Sequence, residues 1–203
     1  MKKILSLMIA VIMLLGIFTG CSKSGTEKTD GKSGDVSLDG YKWTDGVIVI
    51  DGVLYRVSVD PYSKFKDNGW IMQEKDQEIS DHVIVFVHLR NSKFSGSYIR
   101  LDMYNKSGER KLLSESTVDS IGVVTSSKDE PETLCDFELP GGIKRGASID
   151  EIEAAYGKPT NIDVISDDHW ILWYYDDNAK IELELSWFKG YGLQEASIDD
   201  KSR

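Results

Sequence analysis

The chain has 203 residues and a formal net charge of −10, with 34 acidic and 24 basic side chains. A surface with this much negative charge repels phosphate backbones and anionic headgroups. We therefore expect no nucleic-acid partner and no attachment to an anionic bilayer by charge alone. The length is enough to bury a sizeable core, as one domain or as two small ones.

The first twenty residues predict a secretory signal peptide. Two lysines follow the initial methionine, an apolar run covers residues 4–18, and small residues occupy positions 19 and 20 before Cys21. The alternative is a membrane-spanning helix, but a run of this length reaches only about 22 Å, short of a hydrocarbon core of about 30 Å. We therefore predict that residues 1–20 are removed, which changes the formal charge from −10 to −12 because two lysines are lost.

The segment Phe18-Thr19-Gly20-Cys21 resembles the lipobox of bacterial lipoproteins, in which the cysteine is diacylated and becomes the new N-terminus. An ordinary cleaved secretory signal is the alternative. Two acyl chains are sufficient for stable anchoring, which predicts attachment through Cys21 to the extracytoplasmic face of the cell membrane. Residues 21–40 contain almost no apolar side chains, so we predict a lipidated, disordered tether before the folded part.

Cys135 is the other cysteine of the chain. With Cys21 carrying lipid, an intramolecular disulfide is impossible. Cys135 lies in the alternating stretch Leu134-Cys135-Asp136-Phe137, which favours a packed, inert thiol over a reactive one.

Alternating apolar residues and turn signals predict an antiparallel sheet in the first half. Asp51-Gly52 stands between two apolar runs and favours a two-residue hairpin turn. Asp60-Pro61 indicates the start of a short helix, and Asn68-Gly69 its end. The predicted strands are the hairpin runs at 47–50 and 53–57, then the runs at 82–89, 99–104 and 112–124.

The second half follows a polar linker at residues 127–133. Its best-specified element is a helix that begins at the capping box Ser148-Ile149-Asp150-Glu151 and ends at Gly157-Lys158-Pro159. Strands are predicted at 170–175, 181–187 and 194–198. Each half thus has a helical segment before strands, and we predict an α+β fold of two tandem units, at residues 41–126 and 134–203.

The segment Gly146-Ala147-Ser148-Ile149-Asp150-Glu151-Ile152, continuing to Tyr156-Gly157-Lys158-Pro159, resembles the helix signature of the beta-lactamase-inhibitor-protein-like superfamily, which includes BamE-like lipoproteins. The strands Trp173-Tyr174-Tyr175 and Ile181-Glu182-Leu183-Glu184-Leu185 fit the order of that family over residues 138–200. The first half, with Asn68-Gly69-Trp70, looks like uncharacterised lipoproteins of Gram-positive gut bacteria. The resemblance implies two units, each a short helical segment packed on an antiparallel sheet, and a protein-binding module without catalysis.

Few residues offer chemistry. His82 and His88 are about 20 Å apart along one strand and cannot share a metal ion, while His169 fits a polar turn. Glu182 and Glu184 lie about 6–7 Å apart on one strand face, a separation that overlaps the carboxylate spacing of glycosidases. Because apolar residues alternate with these two glutamates, a solvated strand face explains them better than catalysis does. We therefore predict no enzyme activity, no cofactor and no metal site.

Aromatic density is the remaining feature. Both faces of the strand at 170–175 are apolar, so its pattern leaves open which aromatic residues face solvent. The exposed ones would form a patch for a partner protein of the envelope or the extracellular space, and a carbohydrate or cell-wall ligand is the alternative. A hydrolase that depends on Glu182 and Glu184 is a third hypothesis. The candidate binding residues are Trp173, Tyr174, Tyr175, Trp187, Phe188 and Tyr191.

Overall fold

The computed structural model describes residues 36–126 and 130–203. Of this part of the chain, 45% is strand and 14% is helix. The predicted signal peptide, Cys21 and most of the predicted tether lie outside the described residues. None of the described helices is long and apolar enough to cross a membrane.

The described elements are mostly short strands. In chain order the strands are β1 (Val47–Ile50), β2 (Val53–Arg56), β3 (Ile71–Met72), β4 (Glu78–Ile79), β5 (Ile84–Arg90), β6 (Ser97–Tyr104), β7 (Lys111–Leu112), β8 (Thr117–Thr125), β9 (Phe137–Leu139), β10 (Ile143–Lys144), β11 (Asn161–Ser166), β12 (His169–Asp176), β13 (Ile181–Phe188) and β14 (Gly192–Asp200). The helices are α1 (Tyr62–Asp67) and α2 (Ile149–Tyr156), and single 3-10 turns lie at Trp43–Asp45, Leu113–Glu115 and Pro131–Thr133.

The predicted α+β class, with two units each built from a helical segment on its own sheet, is wrong. The described chain forms a β-rich fold of three sheets, and its two helices have only six and eight residues. Five strands that the sequence did not predict, β3, β4, β9, β10 and β11, add to the strand content. Moreover, β14 of the second predicted unit pairs with β8 of the first, so both halves contribute to one sheet.

The large sheet has eight strands in the order β11-β12-β13-β14-β8-β6-β5-β3, and every neighbouring pair is antiparallel. Seven spacings of about 4.8 Å make it about 34 Å wide. Four strands from each half meet at the β8–β14 pair, where Ile121 lies opposite Ile198 and both side chains are fully buried.

One face of the large sheet is covered by α1, α2 and a four-stranded sheet of order β10-β9-β1-β2. The β1–β2 hairpin turns at Asp51 and Gly52, both with positive φ, as the sequence predicts. Its inner side chains join the main core, where Tyr55 stacks on Phe65 with ring centroids 4.2 Å apart. The outer side of β1 packs against Leu38 in a small second cluster, which explains why all four of its residues are buried.

The helix predicted after Gly146 is confirmed as α2. The Ser148 hydroxyl accepts a hydrogen bond from the Glu151 amide at 3.2 Å, and the Glu151 carboxylate accepts one from the Ser148 amide at 2.8 Å. These bonds satisfy two amides that a helix start leaves without intrahelical partners. Ile152 of this helix is fully buried in the main core.

Candidate functional site

The opposite face of the large sheet, here called the open face, is not covered by any helix or strand of the described residues. Its orientation is clearest on β12. Leu172 and Tyr174 point into the core, and the Tyr174 hydroxyl donates a hydrogen bond to the Gly157 carbonyl at 3.1 Å. The intervening residues Trp173 and Tyr175 therefore point to the open face.

Three rows of side chains cross the open face from strand to strand. The first row contains Phe86, Asp102, Ser120, Asp199, Glu182 and Tyr175. The second contains His88, Arg100, Gly122, Ser197, Glu184, Trp173 and Asn161. The third contains Tyr98, Val124, Glu195, Ser186, Ile171 and Asp163. In the first two rows, short side chains thus occupy the middle strands β8 and β14, while long and aromatic ones stand to either side.

This distribution of sizes produces a shallow depression, here called the central cleft, with a volume of about 260 Å³. Gly122 lies between Arg100 and Ser197 in the second row, and the Arg100 side chain passes over it: a Cβ built there would be 3.6 Å from the Arg100 Nε atom. The cleft is lined by Phe86, Arg100, Asp102, Ser120, Trp173, Glu182, Glu184, Ser197, Asp199 and Lys201.

Trp173 forms the aromatic wall on one side of the cleft. Its indole N–H donates a hydrogen bond to the Asp163 carboxylate at 2.8 Å, and Asp163 also accepts one from the Asn161 amide at 2.9 Å. These bonds fix the orientation of the ring while leaving it partly exposed. On the other side stands Phe86, which is 64% exposed although it is an apolar side chain in a strand interior.

The carboxylates at one end of the cleft are neutralised by the segment that follows β14. Lys201 Nζ lies 2.9 Å from a Glu182 carboxylate oxygen and also pairs with Asp199. Arg203 pairs with Asp199 and lies 3.5 Å from Asp102. Burial opposes charge on Lys201, but its hydrogen bonds to Asp199 and Glu182 raise its pKa, so the cation is held in place.

Two further carboxylates, Glu184 and Glu195, lie near Arg100 but form no ion pair with it. Burial raises the pKa of Glu184 above its ordinary value of 4.5, and Arg100 offsets only part of that effect. Burial, followed by the negative charge of Glu184, raises the pKa of Glu195 as well. Neither side chain has a hydrogen-bond or ion-pair partner within the part of the chain that the structure describes. Half-buried carboxylates without donors are unfavourable, so these two create a site for a positively charged group.

The six aromatic residues named from sequence separate into three groups. Trp173, Tyr175 and Phe188 lie on the open face, and Phe188 stacks on His169 with ring centroids 4.1 Å apart. Tyr174 is only 3% exposed and Trp187 packs against the core, its indole N–H donating to the Ala147 carbonyl, so neither belongs to an exposed patch. Tyr191 is exposed, but it lies in the turn between β13 and β14.

The part of the open face that comes from the first half, chiefly Phe86, Arg100 and Tyr98, was not predicted from the sequence. Alternation along β5 and β6 already separated their apolar inward residues from Phe86 and Arg100. The alternation pattern did not show which strands are neighbours in the sheet. Only the pairing of β8 with β14 brings Arg100 to the same cleft as Glu184. The short turn between β12 and β13 was a usable signal for the rest, because it places Trp173 opposite Glu184 and Tyr175 opposite Glu182.

The other residues considered from sequence have simple environments. Glu182 and Glu184 do share the open face, where Lys201 pairs with Glu182. His88 interacts with Glu74 at 2.8 Å, and His82 lies before β5 rather than within it. Cys135 is fully buried, and burial raises its thiol pKa to about 11, as expected for a packed thiol. Among residues 36–126 and 130–203, no group of three or more His, Cys, Asp or Glu side chains is arranged to hold a metal ion.

Comparison with protein-family models, curated proteins and solved structures finds no match to this chain. The resemblance to the inhibitor-protein-like superfamily therefore stays a prediction from sequence, and the function is argued from the open face alone.

Proposed function

We propose that this chain is a non-catalytic lipoprotein, held by lipid on Cys21 at the extracytoplasmic face of the cell membrane, that binds an envelope or extracellular protein through its open face. The observation that carries the binding role is the central cleft. The eight-stranded sheet is covered on only one of its two faces by the described elements, which leaves an open surface about 34 Å wide. Two aromatic side chains, Phe86 on β5 and Trp173 on β12, flank the charged groups at its centre.

The dimensions of the cleft favour a macromolecule over a small ligand. Pockets for small molecules usually enclose about 300–1,000 Å³ and bury most of the ligand. The central cleft is smaller and open, and its aromatic walls, Phe86 and Trp173, project outward. Exposed aromatic residues are enriched among the binding hot spots of protein–protein interfaces.

The binding role is tested by cross-linking on intact cells. A photoreactive phenylalanine analogue at position 86 should yield one discrete protein adduct, because that side chain would contact the partner. Trp173→Ala should abolish the adduct, whereas Val59→Ala, which removes an exposed apolar side chain outside the sheet, should leave it unchanged. A protein adduct that persists in the Trp173→Ala variant would contradict the proposal. The proposal would also be contradicted if the parent protein gave no protein adduct.

A carbohydrate ligand is the second candidate, favoured by the fixed ring of Trp173. A tryptophan held by its N–H at 2.8 Å presents a rigid apolar platform, which also suits the face of a sugar ring. Sedimentation with purified peptidoglycan separates the two candidates. Binding to peptidoglycan that Trp173→Ala removes, without any protein adduct on cells, would replace the protein partner with a glycan.

The anchor is tested separately. Cys21→Ser should prevent incorporation of radiolabelled palmitate and move the folded protein from the membrane pellet to the soluble fraction. Cys135→Ser removes the other cysteine and should leave both readouts unchanged. Membrane association of the Cys21→Ser protein would contradict lipid anchoring.

A further inference from the structure

The charge of the open face allows the partner surface to be specified. Apart from Arg100, the cations at the central cleft come from the segment 201–203, and these already neutralise Glu182, Asp199 and Asp102. Glu184 and Glu195 share the positive charge of Arg100, which offsets only part of the effect of their burial. The unsatisfied charge at the centre of the face is therefore negative.

We infer that the central cleft binds a basic segment of the partner protein, and that an arginine or lysine side chain of this segment lies between Glu184 and Glu195 against the ring of Trp173. This inference rests on the proposed protein-binding function and deepens it by naming the chemistry of the partner. Glu184 lies opposite Trp173 on β12 and opposite Ser197 on β14, and Glu195 lies one row away. A guanidinium group between them donates to both carboxylates and stacks on the indole.

The chain itself shows that this surface accommodates basic side chains. Lys201 and Arg203, two residues apart after β14, occupy the adjacent row: both pair with Asp199, Lys201 also pairs with Glu182, and Arg203 also pairs with Asp102. A partner segment with the same spacing of basic residues would extend this pattern by one row. Ser197, a small side chain opposite Glu184, lines the cleft at this row.

Burial of the pair explains why the contact is specific. A charge on either glutamate is disfavoured in the free protein because the groups are partly desolvated and close to each other. A bound cation removes both penalties, whereas the exposed carboxylates elsewhere on this acidic protein gain little from an ion pair.

The test uses the full mature, lipidated chain in detergent and a fluorescein-labelled tetra-arginine peptide, with binding followed by fluorescence anisotropy. The double variant Glu184→Gln/Glu195→Gln should weaken binding about tenfold or more, because two charge-assisted hydrogen bonds are lost. The matched variant Glu109→Gln/Glu132→Gln removes the same number of charges from exposed positions and should change affinity by no more than about twofold. A second variant, Lys201→Gln, should tighten binding because it frees Glu182 and Asp199.

Equal weakening by the two double variants would overturn the inference, since the peptide would then respond only to net charge. Equal affinity for spermine, which has four positive charges but no peptide backbone, would also overturn it. Neither result would affect the proposed protein-binding function, which depends on the loss of the cell-surface adduct in Trp173→Ala.

Discussion

Gly192 allows two backbone segments to approach more closely than any other residue would permit. Its φ is +74°, and a Cβ at this position would lie 2.3 Å from the Gly146 carbonyl oxygen. The approach is part of the fold, because Leu193 exchanges backbone hydrogen bonds with Gly146 and Ala147 at 2.7 and 3.0 Å. These bonds attach the loop before α2 to β14.

Gly192→Ala should therefore destabilise the protein strongly. Positive φ costs an alanine about 1–2 kcal/mol, and forcing the backbones apart costs about 1–3 kcal/mol more. The expected loss of unfolding free energy in urea is about 2–5 kcal/mol. Gly190→Ala is the control, because its φ is +82° but no atom lies within 4 Å of the added Cβ. If both variants lost the same amount, the close approach to Gly146 would have no energetic importance.

Glu184 and Glu195 make stability depend on pH in a predictable direction. Their pKa values are raised in the folded state, so the folded protein holds these protons more tightly than the unfolded chain does. The tighter proton binding contributes to the unfolding free energy. This contribution is fully present below pH 4.5, the ordinary pKa of a glutamate, and is lost as the pH rises through the raised pKa values of the folded state. The binding site is thus maintained at some cost to stability at neutral pH.

Glu184→Gln/Glu195→Gln should remove this dependence. Between pH 4.5 and about pH 7, its unfolding free energy should fall less than that of the parent protein, and at the upper end it should be the more stable of the two. Chemical unfolding at a series of pH values measures the difference. The exposed pair Glu109→Gln/Glu132→Gln should keep the slope of the parent protein; a parent-like slope in the Glu184/Glu195 variant would refute the explanation.

At the scale of elements, the sequence predicted what is local and missed what is long-range. The Asp51-Gly52 hairpin, the short helix α1, the capped helix α2 and the longer strands all follow from turn residues, caps and alternation, and all are present. The strands β9 and β10 have three and two residues, too short for periodicity to show. The predicted fold class was wrong because the β1–β2 hairpin joins β9 in a separate small sheet. This pairing connects residues almost ninety positions apart in the sequence.

The missed strand β11 has an unusual property for a sheet edge. All six of its residues are exposed, and Ile162, Val164 and Ile165 are apolar. The other edge, β3, is only two residues long. Long apolar edge strands favour pairing with other chains, and a lysine at such an edge opposes it.

Val164→Lys should therefore slow aggregation on heating several-fold without lowering the unfolding free energy by more than about 0.5 kcal/mol. Light scattering below the unfolding midpoint measures the effect. Val59→Lys is a matched control, because both valines are 66% exposed but Val59 lies outside the sheets. Equal slowing by both substitutions would attribute the effect to net charge rather than to the edge.

For the molecule as a whole, the pairing of β8 with β14, here called the seam, has consequences for both stability and binding. The sequence pattern predicts two similar halves; within the fold, these halves share one sheet and one core. The central cleft exists only because of this union, since Phe86 and Arg100 come from one half and Trp173 and Glu184 from the other. Folding of the sheet and formation of the binding surface are therefore one event.

A substitution at the seam tests this directly. Ile198 is fully buried opposite Ile121, so Ile198→Ala should lower the unfolding free energy by about 2–5 kcal/mol by leaving a cavity. Because the core is continuous, amides of β5–β6 and of β12–β13 should lose protection against hydrogen exchange by the same amount, although Ile198 belongs to the second half. In calorimetry, the variant should still unfold in a single transition, at a lower temperature than the parent protein. Loss of protection confined to β12 and β13 would show instead that the two halves unfold independently and that the first half forms its part of the cleft without the second.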